Sequence, residues 1–190
     1  MGNEAWYHGT PHEFDAFDGK HLGKGNDQLG SGFYFTDKLD TANGYAHTSD
    51  GAGGRVLVVD LFLVQPLEMD ARFSEYEIEA MLRSSPDFNS MLANWGEVGF
   101  EPEPVVVARA VSAYRELNES SNDALDVLNT ISNDFWSGCE AEFLLSVRKI
   151  TGYDGVVRSY INEKHAVAWF PEQIEILEVR EIPAPVSPGL

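Results

Sequence analysis

Two β-rich stretches bracket a helical middle in this chain, and that order constrains the fold more than any single motif. Arg55 to Leu63 reads Arg-Val-Leu-Val-Val-Asp-Leu-Phe-Leu, a nearly continuous apolar run. A strand of that composition belongs in the middle of a sheet, and Pro66 ends it. Glu4 to His8 and Ser31 to Thr36 read as shorter strands, separated by a polar, glycine-bearing loop over 11–31. Asp37 to His47 suits a helix capped by Asp37, with Leu39, Ala42 and Ala46 near helical spacing. Asp50 to Gly54 reads as a flexible turn.

The middle changes character. Ser74 to Leu82 reads helical, whereas 84–104 is broken by Pro86, Gly96, Gly99, Pro102 and Pro104. Val105 to Leu117 is helical again. Ser121 to Phe135 opens on a cap pattern and keeps Leu125, Leu128, Ile131 and Phe135 on one stripe. Cys139 to Ile150 is a further helix, closed by Gly152. Strands return at Tyr153–Val157, Ala166–Phe170 and Gln173–Ile182, before a proline-rich tail over 183–190. Strands, then helices, then strands predict a single α+β domain over 1–182 whose two β-rich parts join in one core.

The charge balance narrows the function. Thirteen Lys and Arg stand against 31 Asp and Glu, a formal net charge of -18. Such a surface repels nucleic-acid backbones, which disfavours nucleic-acid binding and leaves solubility or a basic protein partner. The single cysteine, Cys139, excludes a disulfide within the chain and a cysteine zinc site. No apolar run reaches 18 residues and Met1-Gly2-Asn3-Glu4 is no secretory leader, so no membrane partner and a cytoplasmic location are expected. Of the five histidines (8, 12, 21, 47 and 165), His8 and His12 are spaced four apart, but Pro11 denies them a helix, and no metal is expected.

Chemistry concentrates in two segments, Trp6-Tyr7-His8-Gly9-Thr10 and Gly30-Ser31-Gly32-Phe33-Tyr34-Phe35-Thr36-Asp37, with Tyr45 eleven residues after Tyr34. His8 can donate or accept a hydrogen bond, and Gly9 lets a ligand approach the backbone. Tyr34 and Tyr45 offer two aromatic faces for a flat ring. Each also has a plain structural reading, as a strand histidine and as core aromatics. No third glycine follows Gly32 to open a helix, and Gly51 to Gly54 lacks the Lys-Ser/Thr of a phosphate loop, so neither dinucleotide motif applies.

Together these segments resemble the nicotinamide site of the diphtheria-toxin-like ADP-ribosyltransferases, the group that includes the poly(ADP-ribose) polymerases. The likeness lies in His8-Gly9, in Gly32-Phe33-Tyr34-Phe35-Thr36-Asp37 and in Tyr45, continues through Ala46-His47-Thr48-Ser49 and the strand at 55–63, and covers about residues 5 to 68. Gly152-Tyr153-Asp154-Gly155-Val156 and Ala166 to Ile174 resemble the last strands of small bacterial and phage members. The resemblance does not place the stretch 72–136, which reads as a helical insertion in a split β-sheet core. The resemblance implies NAD as co-substrate, His8, Gly9, Thr10, Tyr34, Phe35 and Tyr45 as its binding residues, and His8 and Tyr34 among the catalytic ones.

The chain departs from the family at the third motif. The glutamate that would bond the nicotinamide-ribose 2′-hydroxyl falls, counting back from Phe170-Pro171-Glu172-Gln173-Ile174, on His165. Glu163 lies two residues earlier, on the same strand face if the strand extends that far. Either Glu163 supplies the carboxylate or His165 replaces it, or activity is lost. The resemblance therefore implies transfer of a single ADP-ribose to a macromolecule, in a toxin or phage-effector setting. The alternatives are a catalytically degenerate acidic binding module and an NAD glycohydrolase.

Overall fold

The computed structural model describes residues 5–22, 29–47, 53–95, 102–120 and 123–183. The readings placed on Glu4, Gly23, Gly25, Thr48, Ser49, Asp50 to Ala52, Gly96, Gly99, Ser121 and the tail beyond Pro183 lie outside the described residues. The chain divides into two compact units. One joins residues 1–21, 32–64 and 155–190; the other joins 22–31 and 65–154.

The first unit holds β1 (Trp6–Thr10), β2 (Phe33–Thr36), α1 (Leu39–Ala46) and β3 (Gly54–Leu61). After the short β4 (Pro66–Leu67) of the second unit, it resumes with β5 (Gly155–Ser159), β6 (Lys164–Ala168) and β7 (Ile174–Ile182). Its strands lie in the order β5-β6-β2-β1-β3-β7, each antiparallel to its neighbour. The apolar run becomes β3, where Val56, Leu57, Val58 and Val59 are all buried between β1 and β7. Sequence-distant strands thus interleave, because β6 inserts beside β2 and β7 beside β3.

Helix α1 packs its alanines, Ala42 and Ala46, on Val56, with Tyr7, Leu39 and Ile182 alongside. The contact is backbone-close: a Cβ at Gly9 would lie 1.8 Å from the Ala42 carbonyl oxygen. Asp37 does not cap this helix. Lys38 is the N-cap and makes no side-chain capping bond. The Asp37 carboxylate instead accepts from the Lys164 N–H at 2.9 Å, and the Asp37 N–H donates to the Lys164 carbonyl at 3.1 Å. A residue with helix-cap chemistry is used here to clamp the end of β2 to the start of β6.

Strand β6 starts two residues before its expected onset and stops at Ala168. The stop has a side-chain cause: the Gln173 Oε1, buried, accepts the N–H groups of Trp169 and Phe170 at 3.1 and 2.9 Å. The early start brings His165 into the strand and sets Glu163 just ahead of its first residue.

The second unit is helical after β4: α2 (Glu75–Ser84), α3 (Phe88–Trp95), α4 (Glu103–Ser120), α5 (Ala124–Phe135) and α6 (Glu140–Thr151). Ser74 and Glu77 form a capping box on α2, Asp123 caps α5, and Gly152 closes α6 in the left-handed region at φ 83°. Helix α3 arises where the sequence reads as broken. Pro86 falls in the turn ahead of it, where the missing N–H costs nothing. Among the described residues no helix is long and apolar enough to cross a membrane.

Candidate active site

Strands β1 and β2 share a single register pair, Tyr7 opposite Thr36, while β1 stays paired with β3 from Trp6 to Thr10. The sheet therefore splits beyond Tyr7. His8 spans the gap: its Nδ1 donates to the Tyr34 carbonyl oxygen at 2.8 Å. With Nδ1 carrying the proton, Nε2 of the neutral ring is an acceptor. Burial lowers the His8 pKa below its ordinary 6.5, with the bond to Tyr34 acting in the opposite direction, so the ring is neutral at pH 7. Three phenylalanines enclose it. The His8 ring lies 6.1 Å from Phe14, 5.2 Å from Phe17 and 5.6 Å from the buried Phe35.

Alternation along the strands sorts the remaining residues by face. Phe35 pairs with Ala166 and Thr36 with His165, so His8 and Phe35 share one face and Tyr7, Thr36 and His165 the other. Tyr34, two residues from Thr36, belongs to the second face, as does Gly9, over which α1 lies. Tyr45 stands in the last turn of α1 with 66% of its surface exposed.

The second face carries a fixed carboxylate. Thr36, buried in β2, donates from Oγ1 to Glu163 Oε1 at 2.6 Å. The same hydroxyl accepts from the Lys38 N–H at 3.0 Å. His165 Nε2 lies 3.0 Å from the same Glu163 oxygen, and the His165 ring meets Tyr160 edge-on at 5.2 Å. The Thr36 bond holds the Glu163 carboxyl below its ordinary 4.5, against the opposing effect of burial, with Thr41 of α1 and His165 adding to the lowering. Glu163 is therefore an anion at neutral pH.

The structure thus brings Glu163 and His165 together, and joins His8 to Tyr34 through the tyrosine's main chain. Thr10 is buried and its hydroxyl accepts from the His12 N–H at 3.1 Å, while Phe35 packs on His8 and Phe17. Sequence reasoning missed Thr36, Thr41 and the two rings Phe14 and Phe17. Thr36 occupies a variable position of the resembling motif, and the phenylalanines lie in a stretch whose polar composition reads as loop. Gly9, expected to let a ligand approach the backbone, instead seats the α1 main chain, with the Ala42 carbonyl oxygen 1.8 Å from where a Cβ would stand. The fixed anionic carboxylate of Glu163 can stabilise positive charge that develops on a sugar. Among the described residues no group of three or more His, Cys, Asp or Glu is placed to hold a metal ion.

No match was found among the curated proteins or among the solved structures. The model of one family, described as ADP-ribosyltransferase in polyvalent proteins, matches residues 4–178. That match takes in both β-rich segments, the His8–Tyr34 link and the Glu163 turn, and with the α+β split sheet it shows that the chain belongs to this family of ADP-ribosyltransferase domains.

Proposed function

We propose that this protein is an NAD-dependent mono-ADP-ribosyltransferase that modifies a protein target, with nicotinamide as leaving group. The observation that carries the reading is the Glu163 carboxylate, ionised and held by Thr36 on the face shared by Gly9, Tyr34 and α1. It supplies what the His165 substitution removes from the third motif. NAD contributes a glycosidic bond whose cleavage sends the bonding pair to the nicotinamide nitrogen and leaves positive charge on the ribose. Glu163 stabilises that charge, and a target nucleophile adds to the sugar carbon from the opposite side and loses its proton. Tyr45, with Tyr34, stacks on the nicotinamide, while neutral His8, enclosed by phenylalanines on the opposite face, serves the site by holding the Tyr34 main chain. The net charge of -18 favours a basic target surface. A toxin or phage-effector role is supported by the resemblance of the last strands to small bacterial and phage members.

Incubation with labelled NAD and a bacterial lysate, read by gel and intact mass, tests this. The expected result is a protein that gains one ADP-ribose, with stoichiometric release of nicotinamide. Tyr45→Ala is expected to raise KM for NAD roughly tenfold without changing the melting temperature, because the ring is exposed and its stacking is lost only with ligand. Nicotinamide release with no labelled protein would replace the reading with a glycohydrolase. Neither label nor nicotinamide would replace it with an acidic binding module.

A further inference from the structure

We infer that Thr36 is the positioning residue that makes Glu163 usable, so that the working unit of the third motif is a β2 threonine and a turn glutamate and not one residue on β6. The inference rests on the proposed role of Glu163. Glu163 lies just ahead of β6, its carbonyl accepting from the Tyr160 N–H at 2.8 Å; that bond fixes its main chain but leaves three side-chain torsions to choose. The structure fixes them from outside. Thr36 is buried, with 5% of its surface exposed. Its hydroxyl has both functions engaged, accepting from Lys38 and donating to Glu163. That double engagement sets the proton on the Glu163 side, where serine matches threonine and valine does not.

The register explains why β2 can do this. Thr36 is cross-strand partner of His165, so it sits beside the position where a β6 carboxylate would emerge, and its hydroxyl reaches the residue two places earlier. The Asp37–Lys164 clamp holds the two strand ends at that separation. His165 adds a second approach to the same oxygen from β6 itself. The ionisable groups about the carboxylate are His165 on β6, and Asp37 and Lys38 between β2 and α1, the last two facing each other at 3.5 Å; Thr41 approaches it from α1.

Three variants test the inference in nicotinamide release from NAD: Thr36→Val, Thr36→Ser and Glu163→Ala. Thr36→Val keeps the shape and deletes the donor. It is expected to lower kcat roughly ten- to a hundredfold, the worth of a hydrogen bond to a charged group, with KM little changed. Thr36→Ser is expected to restore most of the rate. The acid limb of kcat/KM that belongs to Glu163 is expected to move to higher pH in Thr36→Val, because the bond that depresses that carboxyl is gone. Combined with Glu163→Ala, Thr36→Val is expected to cost nothing further. A Thr36→Val enzyme with wild-type kcat and an unmoved acid limb, alongside an inactive Glu163→Ala, overturns the positioning role alone. An active Glu163→Ala overturns the reading on which it rests. A Thr36→Ser enzyme as slow as Thr36→Val, with an unmoved limb in both, reduces Thr36 to a packing residue.

Discussion

Glu163→Ala is expected to reduce ADP-ribose transfer and nicotinamide release by about two to three orders of magnitude in kcat, the loss typical of a preorganised group aimed at transition-state charge. The side chain is 26% exposed and lies in a turn, so its truncation leaves no cavity in the sheet and the fold is expected to survive. Glu163→Gln is the sharper variant. It keeps an oxygen for the Thr36 hydroxyl and removes only the charge, so an inactive, normally folded Gln variant isolates electrostatics from positioning. His165→Ala removes a neighbour that lies 3.0 Å from the Glu163 oxygen without hydrogen-bond geometry, and no anion, so a loss smaller than about tenfold is expected. Steady-state nicotinamide release at saturating NAD measures all three. Full activity in Glu163→Ala together with an inactive His165→Ala would exchange the two roles. The pH dependence has a definite sign. The folded-state pKa of Glu163 is below the ordinary 4.5, so the carboxylate's contribution is complete at neutral pH and is lost only as pH falls through that depressed value.

The fold was legible where periodicity and caps speak for themselves. The β3 run declared a central strand because only a strand covered on both faces tolerates Val-Leu-Val-Val. The cap pattern ahead of α5 and Gly152 after α6 marked helix ends because they serve local backbone groups, whereas the Ser74–Glu77 capping box emerged only in the structure. Asp37 misled because an aspartate before a helical segment and an aspartate clamping a distant strand look alike; the Lys164 N–H that claims it is 127 residues away. Helix α3 was hidden by Pro86, which would break a helix interior but is harmless ahead of one. In the site, His8 and Tyr34 were legible as residues, but their link is not a side-chain pair. It runs from an imidazole to a main-chain carbonyl, and composition carries no trace of which carbonyl a split sheet leaves within reach. Thr36 was unreadable for a related reason: its role depends on the register between β2 and β6, which no local pattern encodes.

Gly9→Ala is the substitution expected to damage the fold most. The new Cβ would lie 1.8 Å from the Ala42 carbonyl oxygen, 2.8 Å from the Ala42 carbonyl carbon and 3.1 Å from the Ala46 nitrogen. All three are main-chain atoms, so no rotamer change relieves the clash and α1 must lift from β1. Overpacking of this kind costs about 3 kcal/mol or more, which for a chain of this size lowers the melting temperature by roughly 6–12 °C or more. The damage reaches the chemistry as well. Helix α1 carries Thr41, which helps hold the Glu163 carboxylate, and Tyr45, which offers the exposed ring. A lifted α1 moves both, so KM for NAD is expected to rise and kcat to fall in the fraction that remains folded. Gly44→Ala gives the contrast within the same helix. Nothing lies within 4 Å of its added Cβ, and an exposed helical glycine costs about 0.5–1 kcal/mol relative to alanine. That variant is expected to melt a few degrees above the wild type and to keep its activity. Thermal unfolding followed by circular dichroism, with nicotinamide release on the same preparations, distinguishes the cases. A Gly9→Ala protein that melts like the wild type would mean that α1 does not rest on β1 at this separation, and the position that α1 gives to Tyr45 would fall with it.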